Sequence, residues 1–199
     1  MTDPPAHSPD VILDVRSLRD QESAITALNL AVIASLLVTH ALFTAELGPP
    51  SRALVLALSL RFAAQCVELV WLRRSRHAGA TALARYTHAS IWLNVAFALL
   101  ASLLDTKEDS HYWGLLVIPV VAAAFRFRFW GTLLVVAAAS AAAFLQVWYF
   151  YLRFPPVDVG EYYEAAAVST IFVLVAVIVW VVAGHRGRER AERGANDGE

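Results

Sequence analysis

A chain of 199 residues, 58% hydrophobic and 17% charged, has material for one membrane domain and leaves no room for a soluble catalytic domain. Its formal net charge of −1 hides a strong local asymmetry, and no nucleic-acid partner is expected from that balance. The one cysteine, Cys66, excludes an intrachain disulfide framework, a CxxC motif and a cysteine-rich metal site.

Residues 1–24 are expected to form a cytoplasmic N-terminal segment. They lack the basic start, early apolar core and small-residue cleavage site of a secretory signal, so the first span is expected to stay as a signal anchor. Within the segment, Val11, Leu13, Val15 and Leu18 interleave with Asp14, Arg16 and Arg19, a pattern that fits a short amphipathic helix on the membrane surface. Six apolar runs follow, at residues 25–43, 53–72, 86–104, 112–125, 131–151 and 165–184. A helix crossing a ~30 Å hydrocarbon core needs about 20 mostly apolar residues, and most of the runs reach that length. The fourth is short and contains Pro119, which a membrane helix tolerates when neighbours re-satisfy the freed carbonyl. A re-entrant hairpin is the alternative there. Small residues at 137–143 suit close helix packing, either inside the bundle or between copies. Tyr112, Trp113, Trp130, Trp148, Tyr149, Tyr151, Tyr162 and Tyr163 fall where interfacial aromatic belts are expected.

The connections between runs alternate in charge. One side receives Arg16, Arg19, Arg73, Arg74, Arg76, Arg85, Arg126, Arg128, Arg186, Arg188, Arg190 and Arg193. The other receives Arg52, Lys107 and Arg153, together with Glu46, Asp105, Glu108, Asp109, Asp158, Glu161 and Glu164. The positive-inside rule then places both termini in the cytoplasm, with an even number of crossings. The expected fold is all-α: a six-helix transmembrane bundle over residues 25–185, closed by a charged cytoplasmic tail at 186–199.

Polar groups inside the spans carry the functional information. Arg61, Gln65 and Glu68 lie four and three residues apart in the second run, which puts them on one helical stripe. An arginine or acid at the centre of a membrane helix costs about 2.5–3.5 kcal/mol, so the stripe is expected to face the bundle interior. It reads either as a network that fixes helix packing or as a ligand, ion or proton site. In the third run Thr87, Ser90 and Asn94 share a stripe, with His88 near its start, and Asn94 is a candidate partner for Arg61 or Gln65. Outside, Glu108, Asp109, His111, Tyr112 and Trp113 gather at the mouth of the bundle. A pH- or ligand-sensitive mouth fits these residues better than a metal site, and no metal is expected. Haem b between His40 and His111 has no second histidine pair to support it and is not expected. Nucleophilic triads and phosphate-cradling loops have no counterpart, so no enzyme activity is expected.

Glu108, Asp109, Ser110, His111, Tyr112 and Trp113 lead into an apolar stretch around Pro119 and then into Ala122, Ala123, Ala124, Phe125 and Arg126. This segment resembles the multi-span membrane region at the N-terminus of certain bacterial sensor histidine kinases. In those proteins an acidic-Ser-His-Tyr-Trp outer motif precedes a proline-containing span and an aromatic-basic turn. The second run, with Arg61 to Glu68 followed by Trp71, Leu72, Arg73 and Arg74, is similar in character, and the resemblance covers about residues 53–190. It implies a bacterial inner-membrane sensor module. In such kinases the last span continues into phosphoacceptor and ATP-binding domains. Here His185, Arg186, Gly187, Arg188, Glu189 and Arg190 are followed only by residues 191–199, so kinase activity is not expected to carry over. The sequence thus points to a stand-alone sensory or ligand-binding module that signals to a separate protein partner or acts as a homo-oligomer. An accessory subunit of a larger membrane complex, structural or electron-transferring, and a small transporter are the rivals.

Overall fold

The computed structural model describes the backbone at residues 9–43, 50–74, 79–105, 111–127, 129–153 and 159–196, and side chains at 16–43, 50–74, 79–105, 112–127, 129–153 and 159–182. In chain order the helices are α1 (Pro9–Leu42), α2 (Arg52–Arg74), α3 (Ala80–Leu104), a 3-10 segment (His111–Leu116) running into α4 (Val117–Arg126), α5 (Phe129–Arg153) and α6 (Val159–Asn196). The described residues are all-helical, without strands.

Five helices are long and apolar enough to cross a membrane: Arg16–Leu42 within α1, then α2, α3, α5, and Val159–Val182 within α6. No more than 44% of the best apolar window in any of them is buried within the protein. The remainder presents leucine, valine, isoleucine and tryptophan outward, as at Leu60, Val67, Leu134, Leu174 and Ile178. So much exposed apolar surface is stable only where lipid covers it. The chain is a multi-pass membrane protein.

Local chemistry sets the helix ends. The Ser51 hydroxyl accepts the Leu54 backbone N–H at 3.0 Å, capping α2. At the end of α3, the Asp105 N–H is shared between the carbonyls of Ala101 and Ser102. Hydroxyls within the spans turn back on their own helix: Ser102 donates to Ala98, Ser169 to Ala165 and Thr170 to Ala166. Each thereby satisfies a group that lipid cannot.

The amphipathic pattern at 11–19 is not a separate element. Its backbone runs unbroken into the first span as part of the 34-residue α1. Likewise the basic tail continues α6 as helix to Asn196. In the fourth run, six residues of 3-10 helix precede ten of α-helix, and Leu116 at the junction keeps helical dihedrals of φ −71° and ψ −18°. Pro119 falls in the first turn of α4, just after the 3-10 segment, and contributes no backbone N–H to the helical ladder there.

The chain divides into two compact units, Met1–Ser90 and Ile91–Glu199, with the boundary inside α3. In the first, α1 packs along α2. In the second, α4, α5 and α6 pack pairwise. Ala139, Ala142 and Ala143 are buried on α5, so the small-residue stretch predicted for close packing faces into this unit.

Candidate functional site

The buried face of α2 consists of Leu54, Leu58, Arg61, Gln65 and Leu72, so its polar stripe points into the protein as the spacing predicts. Arg61 is 5% exposed, and its Nη1 donates to Glu68 Oε1 at 2.7 Å. Seven residues separate the two, about 10 Å of helix rise, and the long guanidinium side chain spans much of that distance. The other carboxylate oxygen of Glu68 accepts the Tyr86 hydroxyl of α3 at 3.1 Å. The Tyr86 ring lies 5.3 Å from that of Trp71, a contact that fixes the phenol over the end of α2. Thr26 of α1 lies within hydrogen-bonding reach of the same hydroxyl.

Beside Tyr86, the Thr87 hydroxyl lies 2.5 Å from Glu22 Oε1 and 3.0 Å from the Leu83 carbonyl. Glu22 is 3% exposed. It belongs to a stripe on α1 with Thr26, Asn29 and Ile33, all buried, at spacings of four, three and four. Three helices of the first unit therefore contribute to one cluster: Glu22 and Thr26 from α1, Arg61, Gln65 and Glu68 from α2, and Tyr86 and Thr87 from α3. Gln65 is the anomaly in it. The residue is 1% exposed, and among the described residues its carbonyl oxygen has no hydrogen-bond partner. A buried acceptor left unmatched costs about 1–3 kcal/mol, which any incoming donor recovers.

Arg61 and Gln65 lie on the buried face that their spacing predicts and Glu68 is half-buried at its edge, whereas Glu22, Thr26 and Tyr86 were not expected there. Glu22 and Thr26 straddle the edge of the first apolar run, and Tyr86 stands at the edge of the third. The signal available was the four-three-four spacing from Glu22 to Ile33. Asn94 is buried at 8% exposure two turns beyond Thr87 and belongs to the second unit. Ser90 is half-buried, off the stripe defined by Leu83, Thr87, Ile91 and Asn94. His88 is exposed, with Nδ1 2.9 Å from the Ala84 carbonyl.

Of the outer-mouth residues, Glu108 and Asp109 and the His111 side chain lie outside the described residues. Tyr112 is buried at 6% exposure and Trp113 half-buried. Asp105, buried at 7% exposure, lies within electrostatic range of Tyr112. Among the described residues no group of three or more His, Cys, Asp or Glu is placed to hold a metal ion. Of the haem pair, His40 is half-buried in the first unit.

Neither a protein-family model, nor a curated protein, nor a solved structure matches the chain.

Proposed function

We propose that this protein is a stand-alone integral-membrane sensory or ligand-binding module, with the polar cluster of its first unit as the sensing element. The observation that carries the reading is Gln65: an acceptor buried at 1% exposure and unmatched among the described residues, beside an ion pair. A residue kept only to tighten packing would be better replaced by an apolar one of similar volume. A small donor ligand, or a proton brought in on a ligand or water, finds its acceptor there. Because Glu68 is bonded to both α2 and α3, and Thr87 to α1, binding re-weights contacts among three helices at once. A stimulus shifts the packing only to the extent that it binds one arrangement better than another. A separate protein partner then reads the change at the basic ends of the helices.

The proposed topology is a six-helix bundle with both termini in the cytoplasm of a bacterial inner membrane, in keeping with the resemblance to sensor-kinase membrane regions. Winding supports the fourth crossing. Six residues at about 2.0 Å and ten at about 1.5 Å reach roughly 27 Å, nearly the hydrocarbon thickness.

The test is a thermal-stability screen of the purified protein against pH, metal ions and small polar ligands, run beside Gln65→Met. A ligand that raises the midpoint of the native protein and leaves Gln65→Met unmoved supports the reading. No stabilisation by any condition, together with no signalling protein co-purifying in mild detergent, overturns it.

A further inference from the structure

The polar cluster of the first unit is not central along its helices. Glu22 is the seventh residue from the start of the span Arg16–Leu42, Glu68 the seventh from the end of Arg52–Arg74, and Tyr86 the seventh from the start of Ala80–Leu104. Their contacts keep them level: Glu68 accepts the Tyr86 hydroxyl at 3.1 Å, and the neighbouring Thr87 hydroxyl lies 2.5 Å from Glu22. All three stand about 9 Å along their helices from one set of ends and roughly 24–30 Å from the other. The near ends are the basic ones, with Arg16 and Arg19 on α1, Arg73 and Arg74 on α2 and Arg85 on α3. Gln65 lies one turn deeper, about 14 Å from Arg74.

The two directions out of the cluster differ. Beyond Asn29 the inner faces of α1 and α2 continue as Ile33, Leu58 and Leu54, all fully buried, starting about 24 Å from the basic ends. A polar solute crossing that packing would give up water with no partner in exchange. Toward the basic ends stands a single layer, Leu72 and Leu83, about 3–5 Å along their helices from Arg74 and Ala80. Next to that layer the cluster comes to the surface. Glu68 and Tyr86 are half-buried, whereas Glu22, Thr26, Arg61 and Gln65 are buried. A part-exposed carboxylate is stable where water or headgroups reach it, and not against acyl chains.

We propose that the ligand of this cluster is a small water-soluble hydrogen-bond donor that enters from the basic face, past Glu68 and Tyr86, and not from the opposite face of the bilayer. On the proposed topology that face is cytoplasmic, so the stimulus is an intracellular one. The inference rests on the sensory reading of the cluster and adds the side from which the cluster is supplied.

The test is cysteine accessibility in a Cys66→Ser background. The impermeant, water-soluble reagent trimethylammonium-ethyl methanethiosulfonate is applied to sealed vesicles from one side at a time. Arg74→Cys and Arg52→Cys, exposed at opposite ends of α2, mark the two sides. Tyr86→Cys and Gln65→Cys both leave the Arg61–Glu68 pair in place. Each is expected to react from the side that labels Arg74→Cys, Gln65→Cys more slowly, and neither from the side that labels Arg52→Cys. Leu58→Cys, within the apolar packing, is expected to stay unlabelled from both. Reaction of Tyr86→Cys or Gln65→Cys from the Arg52→Cys side, or failure of either to react from the Arg74→Cys side, overturns the proposal. So does any labelling of Leu58→Cys, which would open a path through the apolar layer. No ligand is added, so the result is separate from the thermal screen. A ligand that stabilises the native protein but not Gln65→Met, together with labelling from the Arg52→Cys side, would sink the direction of entry and leave the sensory reading standing.

Discussion

Arg61 and Glu68 answer each other inside a medium that charges heavily for either alone. Removing the guanidinium leaves a carboxylate that is 19% exposed and held only by the Tyr86 hydroxyl among the contacts described. Arg61→Ala is therefore expected to lower stability by about 3–5 kcal/mol, read as a fall in the thermal midpoint in detergent. Tyr86→Phe removes one hydrogen bond to a charged group and is expected to cost less, about 1.5–3 kcal/mol. Gln65→Met is expected to move the other way, gaining about 1 kcal/mol, because it erases an unmatched acceptor while keeping the volume. A Gln65→Met protein less stable than the native one would show that the carbonyl is matched after all. The α2 stripe was legible because its three members lie within one apolar run. Its partners were not, since they come from α1 and α3, and only the return of the chain at matching depth brings Glu22 and Tyr86 to it.

At the scale of elements, the junction between α4 and α5 is a close turn. Phe127 turns the chain with φ −96° and ψ 152°, and its N–H returns to the Ala123 carbonyl at 2.7 Å. A Cβ on Gly131 would stand 2.8 Å from Phe127 Cβ, closer than carbon atoms tolerate. Gly131→Ala is thus expected to displace this turn and lower the thermal midpoint, whereas Gly114→Ala, with nothing within 4 Å of the added carbon, is expected to leave it unchanged or raise it. Helix positions were legible from hydropathy almost throughout. The 3-10 winding before Pro119 was not, because hydropathy counts residues whereas crossing a bilayer takes length, and rise per residue differs between the two helices.

For the whole molecule, the proposed six crossings make a sharp labelling pattern. In a Cys66→Ser background, a cysteine at Asp109 is expected to react with an impermeant maleimide applied to intact cells, and one at Arg128 only after permeabilisation. Labelling of both from outside would mean that Tyr112–Arg126 dips into the bilayer and returns. The membrane class was legible in composition, and the proposed orientation rests on twelve of sixteen basic residues being assigned to one side. What a sequence does not announce is stiffness. The last helix is 38 residues without interruption, about 57 Å of rod, and its final 16 residues extend beyond Trp180. A tilt of about 5° at Trp180 swings the far tip by roughly 2 Å over that ~24 Å arm. Leverage of that kind turns a modest rearrangement between packed helices into a displacement large enough to break a hydrogen bond at the far tip.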